Sequence, residues 1–218
     1  MREDPKALFR GKVFRARKFA ESSMVCPGCH IAIPEPVDEC PRCGFSGRGV
    51  VEKFAFEAPD LDRYIDPVGF LAEESREKID RVLDELEEDF PQIRVSICII
   101  DLLPDTDPRE FGFWMFNASK VRNEAEAARR PWTILLTIDD RNARASVTVG
   151  YAIEPFVKDD AWEWMLRMDR KLFLEKDYEA GVLKFVEGVD QVLAEGAVRV
   201  DKKLARIRKE KRGREAWQ

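Results

Sequence analysis

Trp132-Thr-Ile-Leu-Leu-Thr-Ile138, then Asp139-Asp-Arg-Asn142, then Ala145-Ser-Val-Thr-Val149 is the stretch from which the rest of the chain is read. The first seven residues are apolar or β-branched at almost every position, as in a strand covered on both faces. The polar tetrad 139–142 is turn chemistry. The run 145–149 brings the chain back, so the three pieces form a hairpin. Upstream, Ile93 to Ile100 (IRVSICII) is a second run of the same character, separated from the first by a helix-patterned segment. Strand-helix-strand crossovers are right-handed, which makes 93–100 and 132–138 parallel neighbours.

The segments around this sheet have helical period. Ile79, Val82, Leu83 and Leu86 share a face within 69–89, and Pro91 ends that helix. Asp105-Thr-Asp-Pro108 caps a helix over 109–122 with Phe111, Met115 and Ala118 inward. A helix over 155–175 has Ala161, Met165, Met168 and Leu172 on one face. Another starts near 178 with Val182, Phe185, Val189 and Leu193, and its stripe runs on through Val200, Leu204 and Ile207. The sum is a three-layer α/β/α sandwich with a small mixed sheet.

Four of the five cysteines fall within 18 residues, as Cys26-Pro-Gly-Cys29 and Cys40-Pro-Arg-Cys43. Each pair sets two thiolates on one side of a tight turn, and two such turns make a tetrahedral four-sulfur site suited to Zn²⁺. Iron is the rival for four thiolates, and a disulfide pair is a third reading. His30 is surplus to a four-cysteine set and reads as a surface neighbour. Gly44-Phe-Ser-Gly47-Arg-Gly49 lacks the spacing and lysine of a phosphate-binding loop and reads as an exit turn. Val13 to Phe19 and Val50 to Phe56 alternate like strands and would make the sheet of a small zinc ribbon. Cys98 is a buried small hydrophobe of its strand.

The chain therefore divides into a basic segment and zinc ribbon over 1–58, an α/β domain over 61–198, and a basic helical extension or tail over 199–218, with Ala58-Pro59-Asp60 as linker. With 218 residues, 44% of them hydrophobic, there is enough apolar matter for a packed core. A single histidine almost excludes Ser-His-Asp, Cys-His and multi-histidine metal catalysis. No run approaches the ~18 apolar residues of a membrane span, and MREDPKALFR has no apolar signal core, so a cytoplasmic setting is expected. The net charge of −5 is segregated. Residues 1–20 and 201–218 each carry +5, while the body between holds 22 basic and 37 acidic side chains. Basic ends of this kind contact nucleic acid or an anionic surface, or are simply solvated or folded back on the acidic body.

Tyr64-Ile-Asp-Pro-Val-Gly-Phe-Leu71 at the start of the first helix, the strand ending at Asp101, the pair Ile134–Arg141 and Val147-Thr-Val-Gly-Tyr151, and Lys176-Asp-Tyr-Glu-Ala-Gly181 together resemble the TPM domain family over about 61–195. The resemblance implies calcium binding in acidic loops and, in some members, weak acid-phosphatase activity. The topology brings Asp101, Asp139 and Asp140 to one sheet edge, and Asp66 joins them from the start of an antiparallel helix. Four carboxylates there suit Ca²⁺ before Mg²⁺. Helix capping by Asp66, turn formation by Asp139 and Asp140, and strand termination at Asp101 explain the same residues without a cation. The chain departs from the family pattern at Gly150-Tyr-Ala152, Ala127-Ala-Arg-Arg-Pro-Trp132 and Asn117-Ala-Ser-Lys120. Three functions follow as expectations. The first is a protein-binding or scaffold module with a cation site, its contact surface including Trp162 and Trp164. The others are a metal-dependent phosphatase and a nucleic-acid-contacting ribbon protein.

Overall fold

The computed structural model describes residues 24–29, 31–33, 37–54, 56–157 and 159–215. Val13 to Phe19 and His30 lie outside the described residues. A four-stranded sheet in the order β3-β4-β5-β6 forms the middle layer. Its strands are β3 (Tyr64–Ile65), β4 (Arg94–Ile100), β5 (Thr133–Asp139) and β6 (Arg144–Val149). β3, β4 and β5 are parallel and β6 returns antiparallel, so the crossover and the hairpin are as the apolar runs imply.

Alternation along the strands sorts the core into two layers. Val95, Ile97, Ile99, Ile134, Leu136 and Ile138 face one side. There they meet α2 (Glu73–Asp89), α5 (Asp159–Leu174) and α6 (Tyr178–Glu215). Cys98 and Leu135 face the other side and meet α3 (Pro108–Ala118). A short helix α4 (Glu124–Arg129), capped by Asn123, precedes β5 and was not visible as an amphipathic pattern because none of its residues is buried.

Three expectations are corrected. Tyr64–Leu71 does not open the first helix. Tyr64 and Ile65 pair with Ile97 and Cys98 as a third parallel strand, and α2 begins only at Glu73 with Ala72 as cap. Val50–Phe56 is not a strand, since Gly47–Lys53 is a helix, α1, capped by the Ser46 hydroxyl on the Gly49 amide. The run VVEKFAF reads equally as period 2, but the residues that become buried are Val50 and Phe54, one helical turn apart, while Val51 and Phe56 stay exposed. On α5 the inward face is Trp162, Met165 and Phe173, with Met168 at 64% exposure, so the stripe is rotated from the expected one.

The cysteine-rich segment is packed onto the α/β domain. A two-stranded hairpin, β1 (Met24–Val25) with β2 (Ala32–Ile33), carries the first Cys pair. Phe45 meets Phe113 edge-on at 5.2 Å, and Phe54 lies against Phe111 and Trp114. Val50, Phe54 and the intended linker residue Ala58 belong to one buried cluster with α3. Lys53 Nζ closes the contact on Glu110 at 2.9 Å.

Candidate functional site

Two clusters of ligand-bearing side chains stand out, the four cysteines and the acidic edge of the sheet. In the first, the four Sγ atoms lie within 4.8 Å of one another. Cys26 and Cys43 are 3.6 Å apart, as are Cys29 and Cys40. Four sulfurs about 2.3 Å from a central Zn²⁺ at tetrahedral angles are about 3.8 Å from each other, so the donor set fits that geometry. None of the four is disulfide-bonded, and sulfurs 3.6 Å apart are spaced as around a shared ion rather than as a bond of about 2.05 Å. Both turns are built alike, with the Cys26 amide donating to Ile31 O and the Cys40 amide to Phe45 O. A Cβ at Gly28 would sit 3.2 Å from Cys43 Sγ, so glycine lets the first turn close against the second. Burial pushes the Cys26 thiol up to about 12. At Cys40 burial works in the same direction, but the amides of Cys43 and Arg42, together with hydrogen bonds from the Cys26 and Cys29 thiols, outweigh it and bring that thiol down to about 6. A bound cation supplies the compensation that the buried thiolates need. The cluster is a metal-binding group consistent with a zinc ribbon.

The second cluster stands at the carboxyl ends of the parallel strands. Asp66 reaches this edge, though for a different reason from the one expected: it follows β3 rather than heading a helix. Its carboxylate accepts from the amides of Gly69, Phe70 and Leu71 at 2.9–3.0 Å and from Arg76 Nη2 at 2.9 Å. Asp139 is completely buried. It accepts from Arg144 Nη2 at 2.9 Å, Asn142 Nδ2 at 2.8 Å and the Leu102 amide at 3.2 Å, joining three segments. Strand alternation sends Asp139 toward α3, whereas its neighbour Asp140 turns to the opposite face.

Asp140 and Asp101 meet on that opposite face. Asp140 accepts from Lys176 Nζ at 2.9 Å and forms a short hydrogen bond with the Tyr178 hydroxyl. Burial raises its pKa, but Tyr178, Lys176 and a contact with Asp101 together hold the carboxyl below its ordinary range. The Tyr178 hydroxyl is pushed well above its usual range by burial and then by Asp140. Asp101 lies 3.8 Å from Arg141. Lys176 has φ +59 in the turn between α5 and α6, a left-handed conformation unusual for a side-chain-bearing residue.

The structure therefore pairs Asp101 with Asp140 and assigns Asp66 and Asp139 to separate cationic partners. Among the described residues, the cysteines are the group in which three or more ligand atoms converge. The residues that sequence reading missed are the cations: Arg76, Arg144 and Lys176. Lys176 and Tyr178 stand in the closing segment quoted for the family resemblance, which was the available signal. Gly150 is required because a Cβ there would lie 2.3 Å from Pro131 O. Ala152, where the family pattern has glycine, adopts no positive φ and donates its amide to Pro131 O at 3.0 Å. Cys98 is fully buried, and burial, reinforced by Asp66, pushes its thiol up to about 12, so it is inert packing. Trp162 belongs to the core, while Trp164 is 62% exposed.

A family model described as TPM domain matches residues 64–192. No curated protein matches the chain. Solved structures similar to it include the N-terminal domain of the cg2496 protein from Corynebacterium glutamicum. That domain is 11% identical over 60% of this chain and 78% of its own, with a TM-score of 0.45. The BA42 protein from Bizionia argentinensis is 14% identical over 60% and 86%, with a TM-score of 0.46. The N-terminal domain of a P. gingivalis protein is 16% identical over 66% and 87%, again at 0.46.

Proposed function

The chain belongs to the TPM domain family, and on that premise we propose that it is a protein-binding module with a structural zinc ribbon and a calcium-responsive acidic edge, working in a reducing, cytoplasmic setting. The observation that carries this reading is the neutralisation of the edge by the chain's own cations: Arg76 on Asp66, Arg144 on Asp139, Lys176 on Asp140. A hydrolytic metal centre needs a converging ligand set with an open position for substrate or water. Here Asp66 and Asp139 are committed to holding loops together, which leaves the Asp101–Asp140 pair, itself contacted by Arg141 and Lys176, as the place where a cation would exchange in. Ca²⁺, with its flexible oxygen coordination, suits such a pair better than Mg²⁺. Four converging thiols support zinc in the ribbon.

The test follows thermal unfolding with and without Ca²⁺ or Mg²⁺, together with hydrolysis of a generic aryl phosphate, for the wild type and Asp140→Asn. The expected result is a Ca²⁺-dependent rise in unfolding temperature that Asp140→Asn removes, with hydrolysis at background throughout. Metal-dependent turnover abolished by Asp140→Asn would overturn the binding reading in favour of a phosphatase. No Ca²⁺ response in the wild type would remove the cation site.

A further inference from the structure

We infer that a hollow at the amino ends of the parallel strands binds a small dianionic oxyanion, a phosphate monoester or a dicarboxylate, held by Arg129, Arg130 and the hydroxyl of Ser96. The hollow measures about 340 Å³, within the range of small-molecule sites. Arg94 and Ser96 reach it from the start of β4, Thr133 from the start of β5, and Arg129 and Arg130 from the end of α4 and the turn after it. The Thr133 hydroxyl donates to Arg129 O at 3.1 Å, which ties the end of α4 to the strand and fixes where Arg129 stands. The seven residues of β4, about 20 Å, separate the hollow from the acidic edge at the other end of the sheet.

Charge in the wall does not cancel. Five basic side chains line the hollow against Asp62 and Glu126, and both of those acids are bound to Arg122, which stands outside the wall. Three of the five cations have acids of their own. Arg63 pairs with Asp80 and Asp84 at 2.9 Å and with Glu87 at 3.2 Å, Arg94 shares the same Glu87, and Lys120 pairs with Glu57. Arg129 has no ion pair among the described residues. Arg130 meets neutral acceptors, the carbonyl oxygens of Ser119 at 2.6 Å and Lys120 at 3.3 Å. Two guanidinium charges are therefore left without a carboxylate among the described residues. Their field reaches Arg94, whose guanidinium is held below its ordinary range by burial and then by the charges of Arg129 and Arg63.

Ser96 is a second, independent mark of a ligand. It is 4% exposed, and its hydroxyl has no hydrogen-bond partner among the described residues. Strand alternation turns it to the same side as Cys98, the side of α3, from whose end Ser119 and Lys120 hold Arg130. A buried hydroxyl with no protein partner is satisfied by whatever fills the space beside it. Guanidinium forks with a hydroxyl are the donor set that grips an oxyanion, and a charge of −2 balances the two unmatched arginines.

Inorganic phosphate and succinate are titrated separately into the full chain at constant ionic strength, with chloride as control, and read by amide chemical shifts and unfolding temperature. Saturable shifts at Ser96, Arg129 and Arg130, with a rise in unfolding temperature, are expected for at least one of the two dianions. A response to phosphate alone identifies a phosphate ligand, and a response to succinate alone a dicarboxylate. Arg129→Gln and Ser96→Ala are each expected to weaken binding about tenfold, the loss of one charge-assisted hydrogen bond. Arg129 is exposed and unpaired among the described residues, so in chloride its variant keeps the wild-type unfolding temperature to within about 2 °C and lost affinity is not lost folding. Silence with both dianions, equal shifts with chloride, or unchanged affinity in both variants would overturn the site.

Discussion

Replacing Lys176 by glycine separates the backbone role of this residue from its charge. Lys176 is held at φ +59, where a residue with a Cβ pays about 1 kcal/mol that glycine does not. Glycine also has the looser unfolded chain, at a cost of about 0.5–1 kcal/mol. The ion pair lost with the ammonium joins a side chain that is 59% exposed to a carboxylate that is 11% exposed. Solvent screening puts such a contact at about 0.2–1 kcal/mol. These effects nearly cancel, so without Ca²⁺ the unfolding temperature moves by no more than about 4 °C. With Ca²⁺ the balance shifts, because the ion no longer has to break the Lys176–Asp140 pair. Up to about 1 kcal/mol released there is about fivefold in affinity, and at saturating ion it adds about 2–4 °C to the Ca²⁺-induced rise. Scanning calorimetry of wild type, Lys176→Gly and Asp140→Asn across a Ca²⁺ series reads this directly. Equal Ca²⁺-induced rises in wild type and Lys176→Gly would refute the argument that Lys176 occupies the cation's place.

Removing the ribbon metal with a chelator, or replacing Cys26 by Ser, should release the packing of Phe45 on Phe113 and lower the unfolding temperature; metal analysis with calorimetry checks it, and full stability without zinc would contradict the structural role. Gly150→Ala forces a Cβ to within 2.3 Å of Pro131 O, and we expect about 2–3 kcal/mol of destabilisation in urea unfolding. Asp139→Ala leaves Arg144, the Asn142 side-chain amide and the Leu102 N–H without their acceptor and should cost about 3–5 kcal/mol by the same assay, several times more than Asp140→Asn. Because the Asp140 carboxyl is held below its ordinary range, its contribution is present above an unfolded-state pKa of about 4 and is lost as pH falls through the depressed value. Asp140→Asn should accordingly flatten the acid limb of the stability–pH profile, and an unchanged limb would count against the Tyr178–Lys176 cradle.

The parallel pair and the hairpin were legible because their strands are apolar on both faces, a pattern that few other arrangements share. Tyr64–Ile65 was not, since two residues carry no periodicity and only pairing with Ile97 and Cys98 makes them a strand. Val50–Phe56 misled for a related reason. Seven residues satisfy period 2 and period 3.6 equally, and the choice was made by α3, whose Phe111 and Trp114 accept Val50 and Phe54 from one helical face. On α5 the two tryptophans, two residues apart, could not both be inside; burial of Trp162 fixed the rotation and left Met168 in solvent.

The convergence of the four cysteines was legible because its spacing is local: each turn sets two thiols within four residues. The acidic edge was legible only as far as topology reaches. Topology brought all four carboxylates to one end of the sheet, but charge balance decided what each does there. Arg144 is the cross-strand partner of Asp139 in the hairpin, a local pairing, whereas Arg76 stands in α2 and Lys176 beyond α5, where no local spacing announces them. A cluster of acids read from sequence overstates a metal site in this way whenever basic residues elsewhere fold onto it. The difference between the two sites is physical: four thiols within 4.8 Å of one another, with no ion pair to them among the described residues, suit a metal, whereas carboxylates already matched by guanidinium and ammonium groups accept one only by exchange. On the proposed reading, exchange would make the edge responsive to cation concentration, while the ribbon would hold its metal as part of the fold.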